Sequence, residues 1–205
     1  RSYRRFILHY AKLAERHDVE VFCIGTELVR MTKRSPGRWR KLAKEVNQHF
    51  SGRLTYAAHW QEEMDQIAFW DALDFVGVSA YFPLDAAKSA TLAELRRAWK
   101  PHRKRLARLH ERTGKPIVFV EAGFRSVPGS FRRPWAHDER SQSNQQAQRR
   151  AYQAMFQALS DAPWWQGTFV WKVFTDPTKA HRDRDGQGYT FLGKPAARVI
   201  DRWYR

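Results

Sequence analysis

Short apolar stretches alternate with longer amphipathic stretches along the chain, and this alternation most constrains the fold. The apolar stretches are rich in β-branched and aromatic residues, as buried strands are. The stretches between them carry apolar side chains at helical spacing. This pattern favours parallel strands covered by helices on both faces of a sheet. Strands are predicted at residues 19–25, 53–60, 74–82, 116–121 and 167–174, and the main helices at 3–17, from Ser35 to Gly52, from Leu92 to Gly114, around 152–159, and from about Pro195 to Trp203.

Two parallel architectures fit this order, a closed barrel and an open doubly wound sheet. No glycine-rich phosphate loop follows any predicted strand, which disfavours the nucleotide-binding form of the open sheet. Several predicted strands instead share a polar or aromatic residue at or just past the carboxyl end, where barrel enzymes build their active sites. These residues are Glu27, His59, Trp60, Tyr81, Glu121 and Trp171.

The chain is strongly basic, with 37 Lys and Arg against 21 Asp and Glu and a formal charge of +16. Such a charge is compatible with nucleic acid, an anionic membrane or an acidic polymer as partner. The basic residues are spread over helical stretches such as 96–112, and neither zinc-finger spacing nor an RNA-binding motif is present. We therefore predict no nucleic-acid partner and no membrane span, and we interpret the basic residues as solvated outer faces of helices.

Two carboxylates stand at strand ends that a barrel would bring to one rim. Glu27 follows the first predicted strand and Glu121 ends the fourth. Residues three strands apart in an eight-stranded barrel can face each other across its mouth. Such a pair suits glycoside hydrolysis, in which one carboxylic acid protonates the leaving oxygen and one carboxylate attacks the anomeric carbon. A separation of about 5–5.5 Å between the carboxyl groups would give retention of configuration.

Four segments carry a resemblance to a known enzyme family. They resemble the second half of a retaining glycoside hydrolase of the (β/α)8 clan, and most of all the family 113 β-mannanases. The resemblance implies an α/β fold, a (β/α)8 TIM barrel of which this chain holds strands 4–8 and their helices. The segments are IGTEL (24–28), DFVGVSAYFPL (74–84), PIVFVEAGFRS (116–126), and FVWKVF (169–174) with GKPA (193–196).

The resemblance also implies catalytic roles. Glu27 corresponds to the acid/base at the end of barrel strand four, and Glu121 to the nucleophile at the end of strand seven. Tyr81, at the end of strand six, is expected to donate a hydrogen bond to the nucleophile and hold it ionised. A β-linked polysaccharide or oligosaccharide is the substrate that this implies, and neither a cofactor nor a metal is expected.

Substrate contacts follow from the same resemblance. Trp171 is expected to form the floor under the sugar at the cleavage point, and His59 and Trp60 are expected to line the cleft. Most clan members have Asn immediately before the acid/base, where it binds the sugar 2-hydroxyl. This chain has Thr26, whose shorter side chain changes that contact.

The loop at 181–193 invites comparison with a calcium-binding loop because it contains Asp183 and Asp185. His181 stands at the first ligand position and Leu192 at the last, where a bidentate Glu belongs. We interpret this segment as a rim loop after the last strand.

The resemblance further implies that residues 1–205 are a single partial catalytic domain, with barrel strands one to three missing. The first strand would then be an open edge, with Val21 and Ile24 facing solvent or an absent neighbour. Self-association, or docking of an N-terminal half-barrel, is predicted there. The alternative function is a non-catalytic carbohydrate-binding or interaction protein that keeps the aromatic cleft. The resemblance favours an extracellular or periplasmic location.

Overall fold

In the computed structural model, which describes residues 2–137, 141–176 and 186–204, five strands form one sheet in the order β1-β2-β3-β4-β5. The strands are β1 (Val21–Thr26), β2 (Arg53–His59), β3 (Val76–Ser79), β4 (Ile117–Ala122) and β5 (Trp165–Val170). The helices are α1 (Ser2–Arg16), α2 (Val29–Arg34), α3 (Pro36–Val46), α4 (Glu63–Gln66), α5 (Leu92–Thr113), α6 (Gln145–Leu159) and α7 (Pro195–Tyr204), with 3-10 turns at Trp70–Ala72 and Ser130–Arg132. The predicted alternation of strands and helices is confirmed.

The chain divides into two compact units. Residues Arg1–Ser79 and Leu109–Val120 form the first unit, and Ala80–Arg108 and Glu121–Arg205 form the second. In the first unit, Trp39 stacks on Phe69 with ring centroids 5.4 Å apart, and fully buried Tyr56 packs edge-on against both rings. The second unit is built around fully buried aromatic side chains, among them Phe82, Trp99, Phe124 and Tyr152.

The first strand has an irregularity just before Glu27. β1 and β2 run parallel, with Cys23 opposite Thr55 and Thr26 opposite Ala57. Three steps along β1 therefore match two along β2, which is the two-against-one count of a β-bulge. The bulge lies between Cys23 and Thr26, immediately before Glu27.

Several predicted boundaries differ from the structure. β3 is only four residues long and ends at Ser79, so Tyr81 lies past the strand rather than within it. β5 ends at Val170, which places Trp171 one residue after the strand. The helix predicted from Ser35 to Gly52 ends at Val46. Ser35 precedes that helix, but its side chain makes no capping hydrogen bond.

The connection between β2 and β3 contains α4 and a 3-10 turn, and one further expectation is corrected. Ile24, expected at an open face of the first strand, is fully buried, whereas Val21 is half-buried. None of the helices in the described ranges is long and apolar enough to cross a membrane.

Candidate active site

Two hydrogen bonds to the neighbouring strand, β2, fix the backbone at Glu27 and at the residue after it. The N–H of Glu27 donates to the carbonyl of Ala57 at 2.9 Å. The next N–H, that of Leu28, donates to the phenolic oxygen of Tyr56 at 2.6 Å. Glu27 itself has φ of 51°, in the left-handed region that non-glycine residues seldom adopt, and its side chain is exposed. Such backbone conformations persist where surrounding contacts impose them, and they concentrate at functional sites.

A buried carboxylate, Glu63, is hydrogen-bonded to Tyr56, the residue that accepts from the N–H of Leu28. Its Oε1 accepts hydrogen bonds from the hydroxyl of Tyr56 at 2.8 Å and from that of Thr32 at 2.9 Å. Its Oε2 accepts from the backbone N–H of His59 at 2.9 Å. Burial, and then the charge of Glu63, raise the pKa of Tyr56, so this phenol stays protonated and donates. Sequence reasoning missed Glu63, because a Glu in the polar run QEEMDQ carries no sign of burial.

The remaining residues predicted for this half of the site stand at the ends of β1 and β2. Thr26 is exposed, and His59 and Trp60 are half-buried. The rings of His59 and Trp60 lie 5.4 Å apart at an interplanar angle of 30°. Nδ1 of His59 accepts from the N–H of Gln61 at 3.2 Å. In the first unit, the structure thus brings Thr26 and Glu27 to a strand end beside that of the aromatic pair.

Glu121 and Tyr81 meet in the second unit. Glu121 is half-buried in β4, and the hydroxyl of Tyr81 donates to its Oε2 at 3.0 Å. Burial, and then the charge of Glu121, raise the pKa of Tyr81, so the phenol is neutral and can donate. The N–H of Ala80 donates to the carbonyl oxygen of Glu121, which ties the same segment to β4. The predicted hydrogen bond between Tyr81 and Glu121 is confirmed.

Trp171 packs against the end of β4 through its backbone. Its N–H donates to the carbonyl of Ala122 at 2.8 Å, and the hydroxyl of Tyr152 donates to its carbonyl at 3.4 Å. A Cβ added to Gly123 would lie 2.4 Å from that same carbonyl oxygen, so only glycine fits there. The indole is 40% exposed, and the Trp171–Lys172 peptide bond is cis. An exposed indole offers a flat apolar face, the kind of surface on which sugar rings stack, and the Nζ of Lys172 lies 5.4 Å from the centroid of this ring.

In the second unit, Tyr81 therefore contacts Glu121 directly, and Trp171 bonds to Ala122, the residue after Glu121. Glu27 belongs to the first unit. The separation between the carboxyl groups of Glu27 and Glu121 stays a prediction.

In the described part of the chain, no three His, Cys, Asp or Glu side chains are grouped as ligands of one metal ion would be. The loop residues Asp183 and Asp185, which were compared above with a calcium loop, lie outside the described residues.

Comparison with known proteins places these features in context. The family model of Glycoside Hydrolase Family 113 matches residues 1–194. The chain is similar to a GH113 β-1,4-mannanase solved as a complex, with 32% identity and a TM-score of 0.81, covering 99% of this chain and 61% of the mannanase. It is also similar to the GH113 β-mannanase AaManA from Alicyclobacillus acidocaldarius in complex with ManMIm, with 29% identity and a TM-score of 0.82, covering 98% of this chain and 60% of that one. No curated protein matches the sequence.

A β-glucuronidase from Ruminococcus gnavus in complex with uronic deoxynojirimycin shares the fold at 15% identity and a TM-score of 0.69, covering 98% of this chain and 36% of that enzyme. The likeness to the mannanases confirms that the five-stranded parallel sheet and its helices are part of a (β/α) barrel. This chain spans about three fifths of the length of the mannanase chains, 61% and 60%.

Proposed function

We propose a function from one premise: this chain belongs to Glycoside Hydrolase Family 113. The protein that contains it is a retaining glycoside hydrolase that cleaves β-linked polysaccharides or oligosaccharides of mannan type. The observation that carries the proposal is the hydrogen bond from Tyr81 to Glu121 at the end of a parallel strand. A neutral phenol that donates to a carboxylate favours its ionised form, and a nucleophile must be ionised.

The reaction proceeds in two displacements. In the first, an oxygen of Glu121 attacks the anomeric carbon while Glu27 gives its proton to the glycosidic oxygen, so that the C–O bond breaks and the leaving sugar departs neutral. In the second, Glu27 takes a proton from water, and the water oxygen displaces Glu121 from the anomeric carbon. Each carboxyl group ends the cycle in its starting state, and configuration is retained.

Four further residues are proposed to hold the sugar. Trp171 has an exposed indole whose backbone is anchored to the end of β4, which suits the floor of the cleavage subsite. His59 and Trp60 present a ring pair at the end of β2. Thr26, immediately before Glu27, has an exposed hydroxyl that can donate to and accept from a sugar hydroxyl.

The roles of the two glutamates are tested in a full-length protein by assay on a panel of β-linked polysaccharides. Glu121→Ala should abolish turnover, and azide should then trap a product of inverted configuration, because the small anion takes the empty place of the nucleophile. Glu27→Ala should keep the kcat/KM of aryl glycosides with good leaving groups, because their first displacement needs no proton, whereas kcat should fall because the second displacement lacks its base. Glu20→Ala removes an exposed carboxylate just before β1 and should leave all rates unchanged.

Two results would contradict the proposal. If both variants respond alike to azide and to the leaving group, the assignment of roles is wrong. If the full-length protein binds manno-oligosaccharides and releases no reducing sugar from any β-linked polymer, it is a non-catalytic carbohydrate-binding protein.

A further inference from the structure

Glu63 is a buried carboxylate for which the proposed reaction has no use. Glu63 is 2% exposed, and within the described part of the chain it forms no ion pair. Burying a charge is costly unless hydrogen bonds replace the lost water. Neutral donors supply these bonds, namely the hydroxyls of Tyr56 and Thr32 and the N–H of His59. A fold that needed only packing at this place would be served as well by an apolar side chain.

The hydrogen bonds of Glu63 lead to the peptide that follows Glu27. Tyr56 has one hydroxyl proton, which it gives to Glu63, so its oxygen is free to accept the N–H of Leu28 at 2.6 Å. Thr32 connects Glu63 to α2, which begins two residues after Glu27. Glu63 therefore sets the direction of the Tyr56 hydroxyl, and that hydroxyl sets the peptide next to Glu27.

The strained backbone explains why such support is needed. Glu27 has φ of 51°, and a left-handed conformation costs an L-residue about 1–2 kcal/mol. Two hydrogen bonds hold it in this conformation. The N–H of Glu27 donates to the carbonyl of Ala57, and the N–H of Leu28 donates to the hydroxyl of Tyr56. Without the second bond, the peptide after Glu27 can rotate and carry the carboxyl group with it.

We propose that Glu63 is a positioning residue that orients the acid/base Glu27 through Tyr56 and Leu28. This inference rests on the role proposed for Glu27. Misplacing a catalytic group by about 1 Å can lower a rate by about 10²-fold. The loss should fall on proton donation and leave binding of the sugar intact.

The test is Glu63→Gln in the full-length protein, because glutamine has nearly the same shape but carries two donors. Whichever way its amide is turned, a donor faces either the N–H of His59 or the hydroxyls of Tyr56 and Thr32. We expect kcat/KM on mannan to fall about 10²-fold, and kcat/KM on an aryl β-manno-oligosaccharide with a good leaving group to stay within about twofold, because kcat/KM reports the first displacement and a good leaving group needs no proton there. Tyr56→Phe should give the same split and keeps the inference testable if Glu63→Gln does not fold.

A second readout does not depend on activity. Hydrogen exchange of the Leu28 amide should become faster in Glu63→Gln and in Tyr56→Phe. The matched control is Trp70→Phe, which removes a buried hydrogen bond from the indole to the carbonyl of Met64 in α4 and keeps an aromatic ring against Tyr56, whose ring centroid lies 6.4 Å from that of Trp70. It should disturb the same helix and leave both the leaving-group dependence and the Leu28 exchange unchanged.

The outcomes separate this inference from the function on which it rests. If Glu27→Ala shows the leaving-group behaviour of an acid/base and Glu63→Gln does not share it, the positioning role is wrong. An unchanged Leu28 exchange rate in Glu63→Gln also overturns the inference, whether or not the protein is an enzyme. Equal losses on both substrates, matched by Trp70→Phe, would make Glu63 a residue of general stability.

Discussion

At the scale of single residues, the left-handed backbone of Glu27 lowers stability at a position that is proposed for catalysis. A left-handed conformation costs an L-residue about 1–2 kcal/mol, and glycine is free of this cost. Glu27→Gly should therefore be more stable than Glu27→Ala by about 1 kcal/mol, the reverse of the usual order of these two residues. Denaturant unfolding of both variants gives this difference, and neither should hydrolyse mannan.

Asp18 provides the matched control, because it has the same φ of 51° and is exposed at a distance from the proposed chemistry. Asp18→Gly should exceed Asp18→Ala in stability by a similar amount and keep full activity. If the two Glu27 variants are equally stable, the left-handed backbone at that position relaxes on truncation and stores no energy.

Tyr81 donates a hydrogen bond to Glu121, the proposed nucleophile, and the pH dependence of the rate tests whether this bond matters. Tyr81→Phe removes the donor to Glu121, so the ionised carboxylate loses stabilisation and the acidic limb of the kcat/KM profile should move to higher pH. The rate should fall about tenfold to hundredfold, the usual worth of a hydrogen bond to a charged group. Because burial raises the pKa of Tyr81, the phenol stays a donor over the working range.

Tyr10→Phe is the comparison for this experiment, since Tyr10 is an exposed phenol on α1. It should leave the whole pH profile unchanged. An acidic limb that stays in place in Tyr81→Phe would mean that the ionisation of Glu121 does not limit the rate.

Sequence reasoning reached part of this residue-level structure. The hydrogen bond between Tyr81 and Glu121 was expected from the family resemblance of the segments 74–84 and 116–126, and the apolar pattern of these strands alone does not imply it. The role of Glu63 was not expected, because its partners come from α2 and β2 and a polar run gives no sign that one of its members is buried. The left-handed φ of Glu27 is held by two hydrogen bonds that the N–H groups of Glu27 and Leu28 donate to the neighbouring strand, and no local preference of Thr-Glu-Leu predicts it.

At the scale of secondary structure, α5 contains a proline at its middle. Pro101 is exposed in this helix of 22 residues, where proline cannot donate to the preceding turn. Proline costs about 3 kcal/mol relative to alanine in a helix interior, and it also stiffens the unfolded chain. Pro101→Ala should therefore raise the free energy of unfolding by about 2 kcal/mol, measured by thermal or denaturant unfolding.

Lys104→Ala, on an exposed position of the same helix, should change stability by less than about 0.5 kcal/mol. No gain from Pro101→Ala would show that α5 bends at this point and that contacts made by the bend offset its cost.

Boundaries of elements were predicted less well than their order, and the reason is physical. Apolar composition reports burial, whereas a strand ends where its hydrogen-bonded pairing ends. Phe82 is fully buried although it lies three residues beyond β3, and so it extended the predicted strand. The short helices α2 and α4 are stabilised by tertiary hydrogen bonds to Glu63 and Trp70, which no periodicity within four to six residues can show.

At the scale of the whole molecule, β1 ends the sheet and pairs there with β2. The chain spans 61% of a mannanase of the same family, and an edge strand of a parallel sheet offers unpaired backbone groups to a neighbour. We expect residues 1–205 alone to associate and to hydrolyse poorly. Addition of the segment that corresponds to the rest of the mannanase barrel, in the same chain or as a second one, should give a monodisperse, active protein.

Light scattering measures the association of residues 1–205, and reducing-sugar release measures their hydrolysis, each with and without that segment. An acidic segment of equal length and unrelated sequence is the control, because it would also bind a chain of charge +16. A stable, monomeric and fully active fragment would show that the sheet needs no further strand.

The close approach at Gly123 has a consequence for the history of this sequence. Every substitution there adds a carbon 2.4 Å from the carbonyl oxygen of Trp171, whereas a carbon added at Gly37 in α3 meets nothing within 4 Å. Neutral substitutions can therefore accumulate at position 37 but not at position 123. A mutational library built on this barrel should keep Gly123 constant and vary position 37.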